Sequence, residues 1–292
     1  MAEPDRSDIS PSAPDFSAEP ISGLAPPPPV NGAEDQAEQV LPDYAFIAPR
    51  RFPAWTGLDV LTIMGATVFA IFACSAVALW IGHSVLRYAS FSALAQNPFI
   101  VIGSQIASYP IVLAFMAKLV RDRSNTGFLE AIRWNWPAAS SSWFCLLGIL
   151  LAFSIEGLSH FLPIPKSLPM DRFFNGATSA YLMAFFGILI APLLEELFFR
   201  GMLYPILRRR LGISTAVVLT AAAFAAIHGA QLGYAWAPIL SIFFVGVALT
   251  LVRQLTDSVA ASVLTHVGYN FTLFALLWLA SNHFQNLEKL NG

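Results

Sequence analysis

Charge is what this sequence has least of. Only 12% of its 292 residues are Asp, Glu, Lys or Arg, against about 25% in an ordinary soluble domain. So few charges cannot cover a water-facing surface, which excludes a soluble protein. Cysteine is nearly absent. Cys74 and Cys145 both sit inside long apolar runs, where they read as small hydrophobes rather than a disulfide or a metal pair. No continuous basic face exists, and with it goes any nucleic-acid surface. There is no Gly-rich phosphate loop, no Ser–His pair in a nucleophile setting and no His-Glu-x-x-His motif. The first 50 residues lack an apolar run long enough for a signal peptide. Topology is therefore expected to rest on the membrane helices themselves.

What charge there is, is unevenly placed. The formal net charge is −2, yet nine of the 18 acidic residues lie between Glu3 and Asp43. From Arg51 onward 14 Lys and Arg face 9 Asp and Glu, a balance suited to loops that meet anionic lipid headgroups. Residues 1–50 are rich in Pro, Ala, Ser and acid, with an unbroken proline run from Pro26 to Pro29. Such a segment buries too little apolar surface to offset its ordering entropy, so a disordered tail is expected.

Apolar residues make up 56% of the chain, and beyond the tail they fall into stretches of about 20, the length that crosses a bilayer. The spans are expected near 59–82, 98–120, 140–162, 179–209, 212–230, 235–253 and 258–281. The expected class is thus an all-α polytopic membrane protein of about seven transmembrane helices. An eighth has room in 83–97 or 126–137. Residues 51–177 supply the N-terminal helices and 178–292 the helices that carry the chemistry. Pro110 and Pro192 fall within spans and should mark kinks.

Orientation follows from Lys and Arg in the short loops. Arg50, Arg51, Lys118, Arg121, Arg123, Arg133, Arg208, Arg209, Arg210 and Arg253 share one side of a seven-helix chain. Arg87, Lys166, Arg172 and Lys289 share the other. Ten against four predicts a cytoplasmic N-terminus in the cell (inner or plasma) membrane.

An ionisable group inside a span costs at least a few kcal/mol and is a functional candidate by default. Such groups gather in the fourth, fifth and seventh spans. In Ala191-Pro192-Leu193-Leu194-Glu195-Glu196-Leu197-Phe198-Phe199-Arg200, Glu196 and Arg200 are four apart and can pair. Glu195 points about 100° away, with no local partner. The fifth span holds Phe224-x-x-x-His228. Glu195 lies 16 residues before Leu211 and His228 lies 17 after it. An antiparallel hairpin turning at Leu211-Gly212 brings the two level, roughly 25 Å from the turn. The seventh span holds His266-x-x-x-Asn270, two residues on one face at a similar depth. Glu156 reads as a snorkelling residue near a helix end, and Gln105 as a helix–helix hydrogen bond.

This set supports hydrolysis of an amide by general-base-activated water. A carboxylate and an imidazole would take the proton, while an imidazole and an amide donate to the oxyanion. Glu195, His228 and His266 could equally bind a zinc ion that acidifies its water; spacing does not separate the two. A proton or solute pathway would instead need polar groups reaching both faces, whereas these form one cluster.

Glu195-Glu196-x-x-x-Arg200, Phe224-x-x-x-His228 and His266-x-x-x-Asn270, in that order over roughly 180–281, resemble the CAAX-processing and bacteriocin-processing (CPBP, or Abi) family of intramembrane proteases. The resemblance implies an endopeptidase that cleaves a membrane-presented peptide or protein, in eukaryotic relatives a prenylated CAAX protein. It implies Glu195 and His228 as the water-activating pair, His266 and Asn270 as oxyanion donors, and Glu196 and Arg200 as supporting residues. It favours a glutamate-dependent enzyme with no cofactor over a zinc metalloendopeptidase. It also admits a non-proteolytic member, a membrane scaffold or bacteriocin-immunity protein. The tail is no part of the family pattern.

Overall fold

The computed structural model describes residues 53–84, 87, 90–174 and 176–286. The tail expected at 1–50 lies outside them. Among the described residues the regular structure is helical throughout, without a strand. Seven long helices follow the apolar runs: α1 (Gly57–Ser84), α2 (Pro98–Arg123), α3 (Ala138–Ser159), α4 (Ala177–Leu211), α5 (Ile213–Ile227), α6 (Trp236–Thr256) and α7 (Val259–Ala280). Single helical turns at Phe91–Ala95 and Phe128–Ala131 occupy the loops where an eighth span had room. The protein is an integral membrane protein of the all-α polytopic class.

Local chemistry sets the helix ends. Asn97 caps α2 by accepting from the Phe99 amide, with Pro98 in the first turn, where its missing N–H is harmless. Ser258 caps α7 through the Ala261 amide. Asp59, in the first turn of α1, accepts from the Thr56 amide and from Arg123 at the end of α2 (2.8 Å each), tying the two helices antiparallel. The α4–α5 turn is a single glycine, Gly212 at φ 80°. An L side chain is strained there, so glycine makes the tight hairpin possible.

Six of the seven helices are long and apolar enough to cross a membrane; α5, with 15 residues, is the exception. At 1.5 Å per residue it spans about 22 Å, short of a ~30 Å hydrocarbon core. Starting from the Arg208–Arg210 end, α5 falls short of the far interface. The seven-span parity behind the expected orientation then depends on the α5–α6 loop covering the rest. Arg253, expected to follow the sixth span, instead lies within α6 at 4% exposure. It is a buried paired residue and belongs to no loop.

Packing joins the helices on both sides of residue 177 into one unit, with α1 against α2, α3 against α7, and α5 against both α4 and α6. In lipid, close backbone approach replaces much of the hydrophobic drive between helices. The α3–α7 contact is an example. A Cβ on Gly148 would overlap the Thr265 carbonyl oxygen and lie 2.6 Å from the Tyr269 amide nitrogen; one on Gly268 would strike the Cys145 carbonyl. The contact therefore holds α7 and its His266-x-x-x-Asn270 face in place. Gly148→Leu or Gly268→Leu should destabilise the fold by about 1–3 kcal/mol or more, an overpacking cost, read as a lower melting temperature in detergent.

Candidate active site

The site is built on a break in the α-helical register. α4 runs unbroken for 35 residues but contains two π-helical stretches, Phe186–Ile190 and Leu197–Leu203. Each ends one residue short of a proline's neighbour: Ala191 precedes Pro192 and Tyr204 precedes Pro205. The Ala191 amide reaches back five residues to the Phe186 carbonyl, and the Tyr204 amide to that of Phe199. The next carbonyl in each case, Gly187 or Arg200, would need the amide of residue 192 or 205. Both are prolines, without an N–H. The Gly187 and Arg200 carbonyls are thereby left without that donor, and side chains from other helices serve them. Asn270 Nδ2 of α7 donates to the Gly187 oxygen at 2.6 Å. Arg253 Nε of α6 donates to the Arg200 oxygen at 3.2 Å.

Between the two breaks lies the turn with both glutamates. Glu196 and Arg200 pair as their spacing predicts, Arg200 Nη1 to Glu196 Oε1 at 2.7 Å, with both side chains 0% exposed. The rest of the guanidinium is held by α6: Nη2 donates to the Gly246 carbonyl at 2.8 Å and Nε to Thr250 Oγ1 at 3.3 Å. Its face rests on the Phe224 ring at 4.6 Å, a cation–π contact.

Glu196 Oε1 accepts a second bond from His266 Nδ1, 2.9 Å away. A carboxylate oxygen paired with arginine only accepts, so Nδ1 carries the imidazole proton. This turns Nε2 outward, where Glu195 Oε2 lies 3.9 Å off. Glu195 is thus not isolated: its partner comes from α7, 71 positions on in the sequence. Its side chain keeps 20% exposure where Glu196 has none.

His228 terminates α5. Its Nδ1 is 2.8 Å from the Phe224 carbonyl; a carbonyl accepts, so Nδ1 donates, which in the neutral ring leaves Nε2 as the acceptor. No hydrogen bond or ion pair joins His228 to Glu195. Phe224 instead lies between the two histidines, its ring 4.9 Å from that of His228 and 5.7 Å from that of His266. The structure thus joins Glu195, Glu196, Arg200 and His266 by direct contacts, adds His228 across Phe224, and brings in Asn270 through the Gly187 carbonyl.

Sequence reasoning passed over α6. Gly246, Thr250 and Arg253 recur at helical spacing on one face, and all three touch Arg200. Arg253 was legible as an ionisable residue near a span, but its place at the end of an apolar run made it read as a loop residue. As for a metal, no three His, Cys, Asp or Glu among the described residues come together as a cation-binding set. Glu195, His228 and His266 do not come together as such a set.

Fold and site together define an integral membrane protein with a cluster of ionisable side chains buried between helices. Residues 177–272 match the family model of the type II CAAX prenyl endopeptidases, Rce1-like, and the resemblance read from the three motifs is borne out over that segment. It runs from the start of α4 to just past Asn270 and supports a function of the protease type. No curated protein and no solved structure matches the chain.

Breaking the sealed pair should be severe. Glu196→Ala or Arg200→Ala leaves a buried charge without its partner and should destabilise by about 3–5 kcal/mol. The double change to Met at both positions should be milder than either, as measured by thermal melting of the purified protein.

Proposed function

We propose that this protein is an intramembrane endopeptidase of the CAAX prenyl protease kind, hydrolysing a peptide bond of a substrate presented at the membrane. The observation that carries the reading is the contrast between two adjacent carboxylates. Glu196 is sealed and committed to Arg200 and His266; Glu195 is partly open, with His266 Nε2 3.9 Å away and no hydrogen bond to hold it. One is built to hold the site and the other is free to work.

In this mechanism Glu195 takes a proton from the attacking water, with the Nε2 lone pair of His228 as the second acceptor. The hydroxide adds to the scissile carbonyl carbon, and the resulting oxyanion is met by His266 and Asn270. Asn270 has a second amide proton beyond the one given to Gly187. His266 donates from Nε2 only when its ring carries both protons; while Glu195 holds the proton from water, Glu196 on Nδ1 supplies the opposing charge. Collapse breaks the C–N bond, and the departing amine takes up the proton abstracted from water. Glu196 and Arg200 orient His266 and the turn that bears Glu195. We place the protein in the cell membrane with its N-terminus cytoplasmic, its partners a peptide or protein substrate and the lipid bilayer.

Glu195→Ala should lower kcat on a C-terminal reporter peptide by roughly 10²–10⁴-fold, the usual worth of a general base, while the protein still folds. Cleavage by that variant at the wild-type rate would sink the assignment. If Glu195→Ala keeps a protective or assembly function in cells although neither form cleaves, a non-proteolytic scaffold or immunity protein is the better reading. Excess chelator should leave the purified enzyme active; loss of activity restored by zinc would favour the metalloendopeptidase mechanism.

A further inference from the structure

We propose that Arg253 is a positioning residue of the site, acting by supplying the donor that Pro205 withholds from the Arg200 carbonyl. The inference rests on the protease reading for its activity arm and on geometry alone for the rest.

Arg253 is an arginine at 4% exposure on the helix that carries none of the six motif residues. Its Nη1 pairs with Asp257 at 2.7 Å, an ion pair that Asp257, half exposed, also shares with Arg133. That pair would be satisfied nearer the surface. The Nε bond would not, because it goes inward to the Arg200 carbonyl. A buried carbonyl without a donor is costly, and the second π stretch combined with Pro205 leaves this one with no alternative inside its own helix.

The position of that carbonyl matters. It belongs to the residue whose guanidinium grips Glu196, and Glu196 in turn fixes His266. The α6 face therefore holds Arg200 at two ends: Gly246 and Thr250 take the side chain, and Arg253 takes the backbone. If the backbone end is released, the turn is free to rewind toward α-helical register. Rewinding rotates Arg200 about the helix axis relative to Glu195 and His266. Displacements of about 1 Å at a reacting centre can cost on the order of 100-fold in rate.

The test is a two-residue cycle on the full-length protein in detergent. Arg253→Met removes the donor. Pro205→Ala adds a backbone N–H at the position that can reach the Arg200 carbonyl. Expected results are a lower melting temperature and a kcat reduced on the order of 10- to 100-fold for Arg253→Met, with KM near wild type. The double variant Pro205→Ala/Arg253→Met should recover both. Asp257→Asn, which removes the ion pair and leaves the Nε bond, should retain wild-type kcat. If the melting temperatures of the cycle are merely additive, or if Asp257→Asn is as damaging as Arg253→Met, the carbonyl role is wrong. Should the melting temperatures couple as expected while neither wild type nor variants cleave any reporter, the positioning geometry stands and the protease reading fails. If Arg253→Met does not fold, the double variant decides: folding restored by Pro205→Ala supports the role, and failure of both overturns it.

Discussion

A fully buried ion pair in a membrane helix organises everything around it. Glu196 and Arg200 have no exposure, and their attraction alone does not offset the removal of two charges from water. The remaining guanidinium protons therefore need acceptors, and α6 provides them; the remaining capacity of Glu196 Oε1 is used by α7. These bonds join helices α4, α6 and α7 at the two charges, although Glu196 Oε2 is buried without a hydrogen-bond partner. Phe224 of α5 closes the arrangement by covering the guanidinium face, which also brings His228 to the same place.

Helical register gives the site its asymmetry. Adjacent residues on a helix point about 100° apart, so two consecutive glutamates cannot share an environment. The inward one becomes a fixed part of the structure and the outward one stays accessible. The same imidazole touches both, through a different nitrogen each time. One histidine thus couples a rigid anchor to the group proposed to handle protons, and a small rotation of its ring would alter both contacts at once.

Much of this was legible in the sequence. Seven apolar runs placed seven helices within a few residues of where they are, because lipid permits backbone only in closed hydrogen-bonding form and hydropathy reports that directly. The Glu196–Arg200 pair followed from a spacing of four, and the hairpin at Gly212 from a glycine between two apolar runs. Two things were hidden. The length of α5 depends on where helical hydrogen bonding stops at His228, which hydropathy does not record. The role of α6 depends on long-range bonds to Arg200, for which a lone arginine at the end of an apolar run gives no sign. Pro192 was visible as a kink and Pro205 was passed over; that they leave Gly187 and Arg200 needing donors from other helices becomes apparent only when the π register is known.

Those prolines carry a consequence for assembly. A membrane helix normally enters the bilayer with its backbone satisfied from within. α4 does not, for it is inserted with two carbonyls whose partners, Arg253 and Asn270, lie 53 and 83 positions further along the chain. Until α6 and α7 are threaded and docked, the turn bearing both glutamates lacks these bonds. The working geometry thus comes into being only with the last helices, so a partly inserted chain carries all the polar residues of α4 without the ability to hold them in place.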